Sequence, residues 1–131
     1  MSEPSLPEGA YRTSVTTAEL IEEPSNAAMV RPLARAQEGG SSLSVTWVSL
    51  DGRHQDLASR RSARVYYVLG GALTFVLDGG EPTELGAGGL LVVPKGCRYR
   101  MEGTATYLVL NTPAFEEGDD EYTGPVSGTH R

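Results

Sequence analysis

From Arg64 to Phe115 the chain runs as short stretches rich in Val, Leu, Tyr, Phe and Thr, broken by Gly, Pro, Asp and Glu about every 8–12 residues. That rhythm restricts the fold more than any other feature. The stretches are too short for amphipathic helices, and their β-branched and aromatic content suits a half-buried pleated surface. An all-β sandwich or barrel of antiparallel strands follows.

Around this centre the spacing predicts a strand over Leu43–Leu50, in which Leu43, Val45 and Trp47 alternate with Ser44, Thr46 and Val48. A first strand, from Ala28, is expected to be interrupted at Pro32, because proline removes a ladder donor. Arg53–Ala63 has no apolar periodicity and is expected to form a polar loop or an irregular strand. Further strands are expected at Arg64–Leu69 and Ala72–Leu77, with Gly70-Gly71 as a break and Asp78-Gly79-Gly80 as a hairpin signal. Leu90–Val93 lacks polar alternation and is expected to be buried, while Tyr99–Met101 and Thr104–Asn111 complete the set.

The organisation expected is an extended arm over residues 1–25, a barrel over 26–115 and an acidic, polar, solvated tail over 116–131. Thr17–Glu23 is a candidate helical turn in the arm, and Tyr122 with Phe115 is a candidate pair for folding back over the barrel. At 131 residues the chain is expected to be one domain that needs no staples. No apolar run approaches the ~20 residues that cross a bilayer, and the first residues lack the basic and apolar regions of a signal peptide. Cytoplasmic location is the default expectation. The single cysteine, Cys97, forms no internal disulfide and has no histidine neighbour to activate it. A net charge of −6 argues against nucleic acid, although Arg53–Arg64 holds four arginines against one aspartate.

The pattern resembles the cupins, small jelly-roll barrels also called double-stranded β-helices. Their first motif, G-(x)5-H-x-H-(x)3-E-(x)6-G, is matched in frame by Gly52 and Gly71, and the second, G-(x)5-P-x-G-(x)2-H-(x)3-N, by Gly88, Pro94 and Gly96. The resemblance implies a barrel with a pocket. At its metal-ligand positions, however, stand Ala58, Arg60, Arg64 and Tyr99, and at the terminal Asn stands Gly103. A slip of one residue in the loop puts Leu57 and Ser59 in place of the two histidines. Neither register supplies imidazole and carboxylate donors, so no metal and no cofactor are expected.

The resemblance then implies positive charge where relatives hold an ion. Arg60 and Arg64 are candidates for holding an anion, with Arg61 nearby. Arg64 is expected to point inward with Tyr66 and Val68, either toward a ligand or paired with an acid such as Glu102 or Glu116. Tyr99 and Tyr66 are candidate hydrogen-bond or proton donors, and His54, alone in the body of the chain, is a candidate base. Met101 and Trp47 are candidate pocket-lining residues; core packing or a subunit interface is the competing role. The function expected is a metal-independent isomerase, cyclase or lyase acting on an acidic or enolisable small molecule. The alternative is a non-catalytic metabolite-binding or structural cupin. A homodimer is expected.

Overall fold

The computed structural model describes residues 6–38 and 42–122. Nine strands run in chain order: β1 (Ile21–Glu23), β2 (Ala28–Ala34), β3 (Ser44–Arg53), β4 (Leu57–Ser59), β5 (Ala63–Leu77), β6 (Thr83–Gly86), β7 (Leu90–Val93), β8 (Tyr99–Thr112) and β9 (Asp120–Tyr122). All pair antiparallel. The sheet path is β1-β2-β3-β8-β4-β9, and β5 pairs with β8, β6 and β7. The spine is the long β5–β8 ribbon, whose register runs from Ala63↔Thr112 to Leu77↔Tyr99. Among the described residues, no helix is long and apolar enough to cross a membrane.

Two expected breaks are absent, for a shared reason. Gly70-Gly71 does not end a strand; it makes a one-residue bulge between Val68 and Gly70 within a continuous β5. Before the bulge the buried positions are even (Arg64, Tyr66, Val68), and after it they are odd (Leu73, Phe75). An extra residue reverses the face presented by everything beyond it. The bulge therefore keeps both halves of a 15-residue strand facing one interior while the sheet bends. Gly103 likewise lies inside β8, at φ 143.

The bend brings backbones together. A Cβ on Gly71 (φ 79) would lie 2.1 Å from the Thr104 carbonyl oxygen, and one on Gly103 would lie 2.3 Å from that of Ala72. Gly71→Ala is expected to lower the unfolding free energy by about 2–3 kcal/mol through overpacking and backbone strain. Urea melts of the variant beside Gly103→Ala check this; loss below ~0.5 kcal/mol at both positions would mean that the ribbon bends elsewhere.

Other elements also differ from expectation. Within Arg53–Ala63 the irregular-strand alternative is realised in part: Leu57–Ser59 is buried and pairs with β9. Thr83–Gly86, where no strand was expected, is a strand paired with β5. Ile21–Glu23 is strand β1, and the turn lies earlier, at residues 15–17, anchored on the Ser14 carbonyl, which accepts from Thr17 N–H (3.2 Å) and Ala18 N–H (3.1 Å). Pro32 does sit beside an irregularity in β2. Leu90–Val93 is not buried as a whole: Val93 points inward, but Leu90 and Val92 are exposed because they point to the outer face.

The 116–131 segment does not behave as one solvated tail. Its first seven residues return to the barrel, the last three of them as β9, and Asp119 is buried. Residues 123–131 and 1–5 lie outside the described residues, as does part of the turn expected at Gln37–Ser42.

The apolar core fills the barrel around Leu50, Leu57, Val68, Leu73, Phe75 and Met101. Its outer face is apolar too. The pairings place Leu90, Tyr67, Leu108 and Trp47 in one row across β7, β5, β8 and β3.

Candidate functional site

The inward faces of β2, β3, β8 and β5 do not all meet over the core. Above Val30, Val48 and Val109 they enclose a cavity of about 590 Å³, within the range that takes a drug-sized ligand. Small residues on β2 (Ala28, Ala34) and hydroxyls on β3 (Ser44, Thr46) leave the space. Arg64, Tyr66, Tyr107, Asn111 and His54 project polar groups into it, and β9 adds Asp120 and Tyr122.

Arg64 is 5% exposed and fully engaged. Its Nη2 donates to the Asp120 carboxylate and its Nη1 to the Tyr99 hydroxyl at 3.3 Å. The Asn111 amide, with its oxygen toward the guanidinium, accepts from Nε at 3.1 Å and from Nη2 at 3.3 Å. Burial opposes the charge, but Tyr99, Tyr66 and Asp120 outweigh it and hold the pKa above the ordinary arginine value. A buried charge must be paired, and here the pair comes from the chain itself. Of the alternatives for Arg64, an internal ion pair is realised, with Asp120 rather than Glu102 or Glu116.

Behind Arg64 the phenols interlock. The Tyr66 and Tyr99 hydroxyls share a hydrogen bond, and their rings meet edge to face at 6.0 Å. Tyr66 also packs on Phe75 (5.1 Å) and Tyr107 (5.6 Å). Burial raises the pKa of Tyr66, Tyr99 and Tyr107 alike, so at neutral pH they are hydrogen-bond donors and weak acids, not bases. Tyr66 and Tyr107 line the cavity. Tyr99 does not; it supports Tyr66 and Arg64 from behind.

His54 follows β3 and lines the same cavity. Its Nδ1 lies 2.9 Å from the Gln55 carbonyl oxygen. An oxygen without a proton accepts only, so Nδ1 carries the hydrogen and Nε2 keeps a free lone pair. Burial lowers the pKa below the ordinary 6.5, against the opposing pull of the Gln55 carbonyl, Glu23 and Asp120. The ring is therefore neutral at pH 7, as a general base requires.

That shift has a stability consequence. The folded pKa is below the unfolded one, so the unfolded chain binds the proton more readily. The contribution of neutral His54 is complete above pH about 6.5 and is lost as pH falls through the folded value. Wild type is expected to lose more stability than His54→Gln between about pH 7.5 and about pH 5, read from paired urea melts. Equal losses would place the imidazole in water.

The C-terminal strap is fastened by Arg61. Its Nε donates to Asp119 Oδ1 at 2.9 Å and its Nη2 to the Ala114 carbonyl at 3.0 Å, while Asp119 Oδ2 accepts from Glu116 N–H at 2.8 Å. The Arg61 hydrogen bond holds the Asp119 pKa below the usual carboxylate range. Sequence spacing carried no sign of this clasp, because its partners lie 58 residues apart. Asp120, the main residue missed, was hidden for the same reason: nothing local separates it from the exposed acids beside it.

Besides Tyr99, three more candidates fall outside the cavity. Arg60 is not a pocket residue; it is exposed, 3.8 Å from Glu121, because the buried run Leu57–Ser59 ends just before it. Met101 is 1% exposed in the core rather than lining the space. Trp47 points to the outer face, beneath Arg31 at 5.9 Å, because β3 turns its even positions inward. Cys97 is buried, and burial raises its pKa.

The cupin ligand positions hold a buried alanine, an exposed arginine, a paired arginine and a buried phenol. Among the described residues no three His, Cys, Asp or Glu side chains gather where they would hold an ion. This donor set does not fit the divalent metal of other cupins.

Comparisons with known proteins agree with the geometry. A model of the EutQ-like cupin domain matches residues 36–110. Streptomyces Pac13, described as a unique nucleoside dehydratase, is 26% identical at a TM-score of 0.77, covering 89% of this chain and 93% of that one. Pac13 forms with a tyrosine changed to phenylalanine or a histidine to glutamine have been solved with uridine, at 26% and 25% identity. Bacillus subtilis oxalate decarboxylase, at 18% identity and a TM-score of 0.70, covers 88% of this chain but 34% of its own, and shares the fold alone. No curated protein matches. A matched model over more than half of its length, on a jelly-roll barrel, makes this chain a member of the EutQ-like cupin domain family.

Proposed function

We propose that this cupin is a metal-independent lyase that removes water from an enolisable, uncharged, nucleoside-sized compound. The observation that carries the proposal is the His54 imidazole, tied at Nδ1 to the Gln55 carbonyl, on a cavity it shares with Arg64 and Tyr66. Nε2 takes a proton from the carbon beside a carbonyl. The C–O bond to a hydroxyl one carbon further breaks as the double bond forms, and the hydroxyl leaves with that proton as water, restoring the neutral ring. Tyr66, backed by Tyr99 and Arg64, donates to the carbonyl oxygen as enolate charge develops there. The likeness to a nucleoside dehydratase favours a lyase over a cyclase or isomerase.

Charge favours a neutral substrate. Arg64 is already matched by Asp120, and Arg35 at the rim is matched by Glu19 at 3.0 Å. Glu23, Glu116 and Glu117 also line the cavity. An added phosphate would meet net negative charge in a partly dry space. Calorimetric titration is expected to show uridine binding at least about tenfold more tightly than uridine 5′-phosphate. Tighter binding of the nucleotide would mean that a ligand anion displaces Asp120 from Arg64. Incubation with sugar-oxidised uridine, followed by mass spectrometry, is expected to show loss of one water. No loss from any sugar-oxidised nucleoside would leave the pocket a binding site.

A further inference from the structure

His54 can serve as base only in one of its two neutral tautomers, and the chain around it selects that one. Asn26 is 5% exposed, at the end of a single 3-10 turn, Pro24–Asn26, that closes through Ala27 in the left-handed region at φ 54. The Ala27 carbonyl accepts from Asp51 N–H at 2.9 Å, which docks the turn on β3 just before His54. From there the Asn26 amide oxygen accepts twice from one residue: from Gln55 N–H at 3.1 Å and from the Gln55 side-chain nitrogen at 3.0 Å. The Asn26 nitrogen donates in turn to Glu23 at 3.2 Å. The opposite side of Gln55 presents its carbonyl to His54 Nδ1, and His54 N–H is held by the Met101 carbonyl at 3.0 Å.

We propose that Asn26 is a positioning residue: by pinning Gln55 at both backbone and side chain, it aims the Gln55 carbonyl at Nδ1 and fixes His54 as the Nδ1–H tautomer with Nε2 bare toward the cavity. The catalytic benefit rests on the functional reading above, but the tautomer does not. A buried amide with all its groups satisfied locks one geometry, and the hydrogen bond at one ring nitrogen decides where the other's lone pair lies. Nothing in the local sequence marks Asn26, which acts across 29 residues.

The test is nitrogen-15 and carbon-13 NMR of the imidazoles in the full chain at neutral pH. The sequence has two histidines, so His130→Gln assigns the signals. Wild-type His54 is expected to be the Nδ1–H form; a wild-type Nε2–H form overturns the proposal outright, whether or not any variant folds. In Asn26→Ala the Nε2–H form is expected to appear. Turnover of sugar-oxidised uridine is expected to fall about 10–100-fold in kcat, the range for residues that orient a working imidazole, with KM moving less than about threefold. The double variant Glu23→Gln with Asn26→Asp reverses donor and acceptor between those two residues while leaving an oxygen for Gln55, and is expected to restore the Nδ1–H form. An Asn26→Ala protein that keeps wild-type tautomer proportions overturns the proposal. An Nδ1–H wild type in which His54→Gln stays fully active upholds the positioning and sinks only the assignment of His54 as the base.

Discussion

Arg64→Met is expected to lower the unfolding free energy by about 3–5 kcal/mol, the cost of removing one partner from a buried ion pair. Methionine fills much of the volume, so the loss is electrostatic more than a matter of packing. With the guanidinium gone, Asp120 is left as a carboxylate only 16% exposed, and the Asn111 oxygen and Tyr99 hydroxyl each lose a donor. Leaving buried polar groups without partners costs more than the bonds contributed. The double variant Arg64→Met with Asp120→Leu removes both charges and is expected to regain about half of the loss. Urea unfolding with an unchanged m-value measures both. A loss below ~1 kcal/mol in the single variant would mean that Arg64 faces water.

His54→Gln is expected to cut kcat by about 10²–10⁴-fold, the usual worth of a positioned base. Glutamine keeps a hydrogen-bonding group of similar reach but offers no basic nitrogen at neutral pH. Because Arg64, Tyr66 and the cavity walls remain, substrate affinity is expected to hold, so the loss falls on kcat and not on KM. The pH dependence has a definite sign. Burial lowers the His54 pKa, so the acid limb of kcat lies below pH 6.5. Activity within about fivefold of wild type in the variant would assign proton abstraction elsewhere.

The barrel was legible because its signals are local. Turn glycines, the Pro94-containing motif and alternating strands report themselves within a few residues of chain. Arg64 and Tyr66 could be read as inward for a related reason: alternation and motif register fix which way a strand residue points, whereas His54 stood out only as the one histidine in the body of the chain. What stayed hidden required knowing what lies opposite. Asp120 reads as one acid in an acidic run until β9 returns to β4 and brings it onto Arg64. That pairing turns an arginine expected to hold a ligand's anion into one whose charge is already met. Trp47 and Arg60 were misplaced through face and register: β3 turns its even positions inward, and Arg60 falls just past the buried run that ends at Ser59. Gly70-Gly71 looked like a break because dipeptide chemistry cannot distinguish a turn from a bulge inside a continuous ribbon.

The most direct measurement of the central claim is dehydration of sugar-oxidised uridine by protein dialysed exhaustively against a chelator, wild type beside His54→Gln. Full activity in the dialysed wild type, with loss of about two orders of magnitude or more in the variant, is the predicted result. Activity that vanishes on dialysis and returns with a divalent metal, or that survives in His54→Gln, would contradict it.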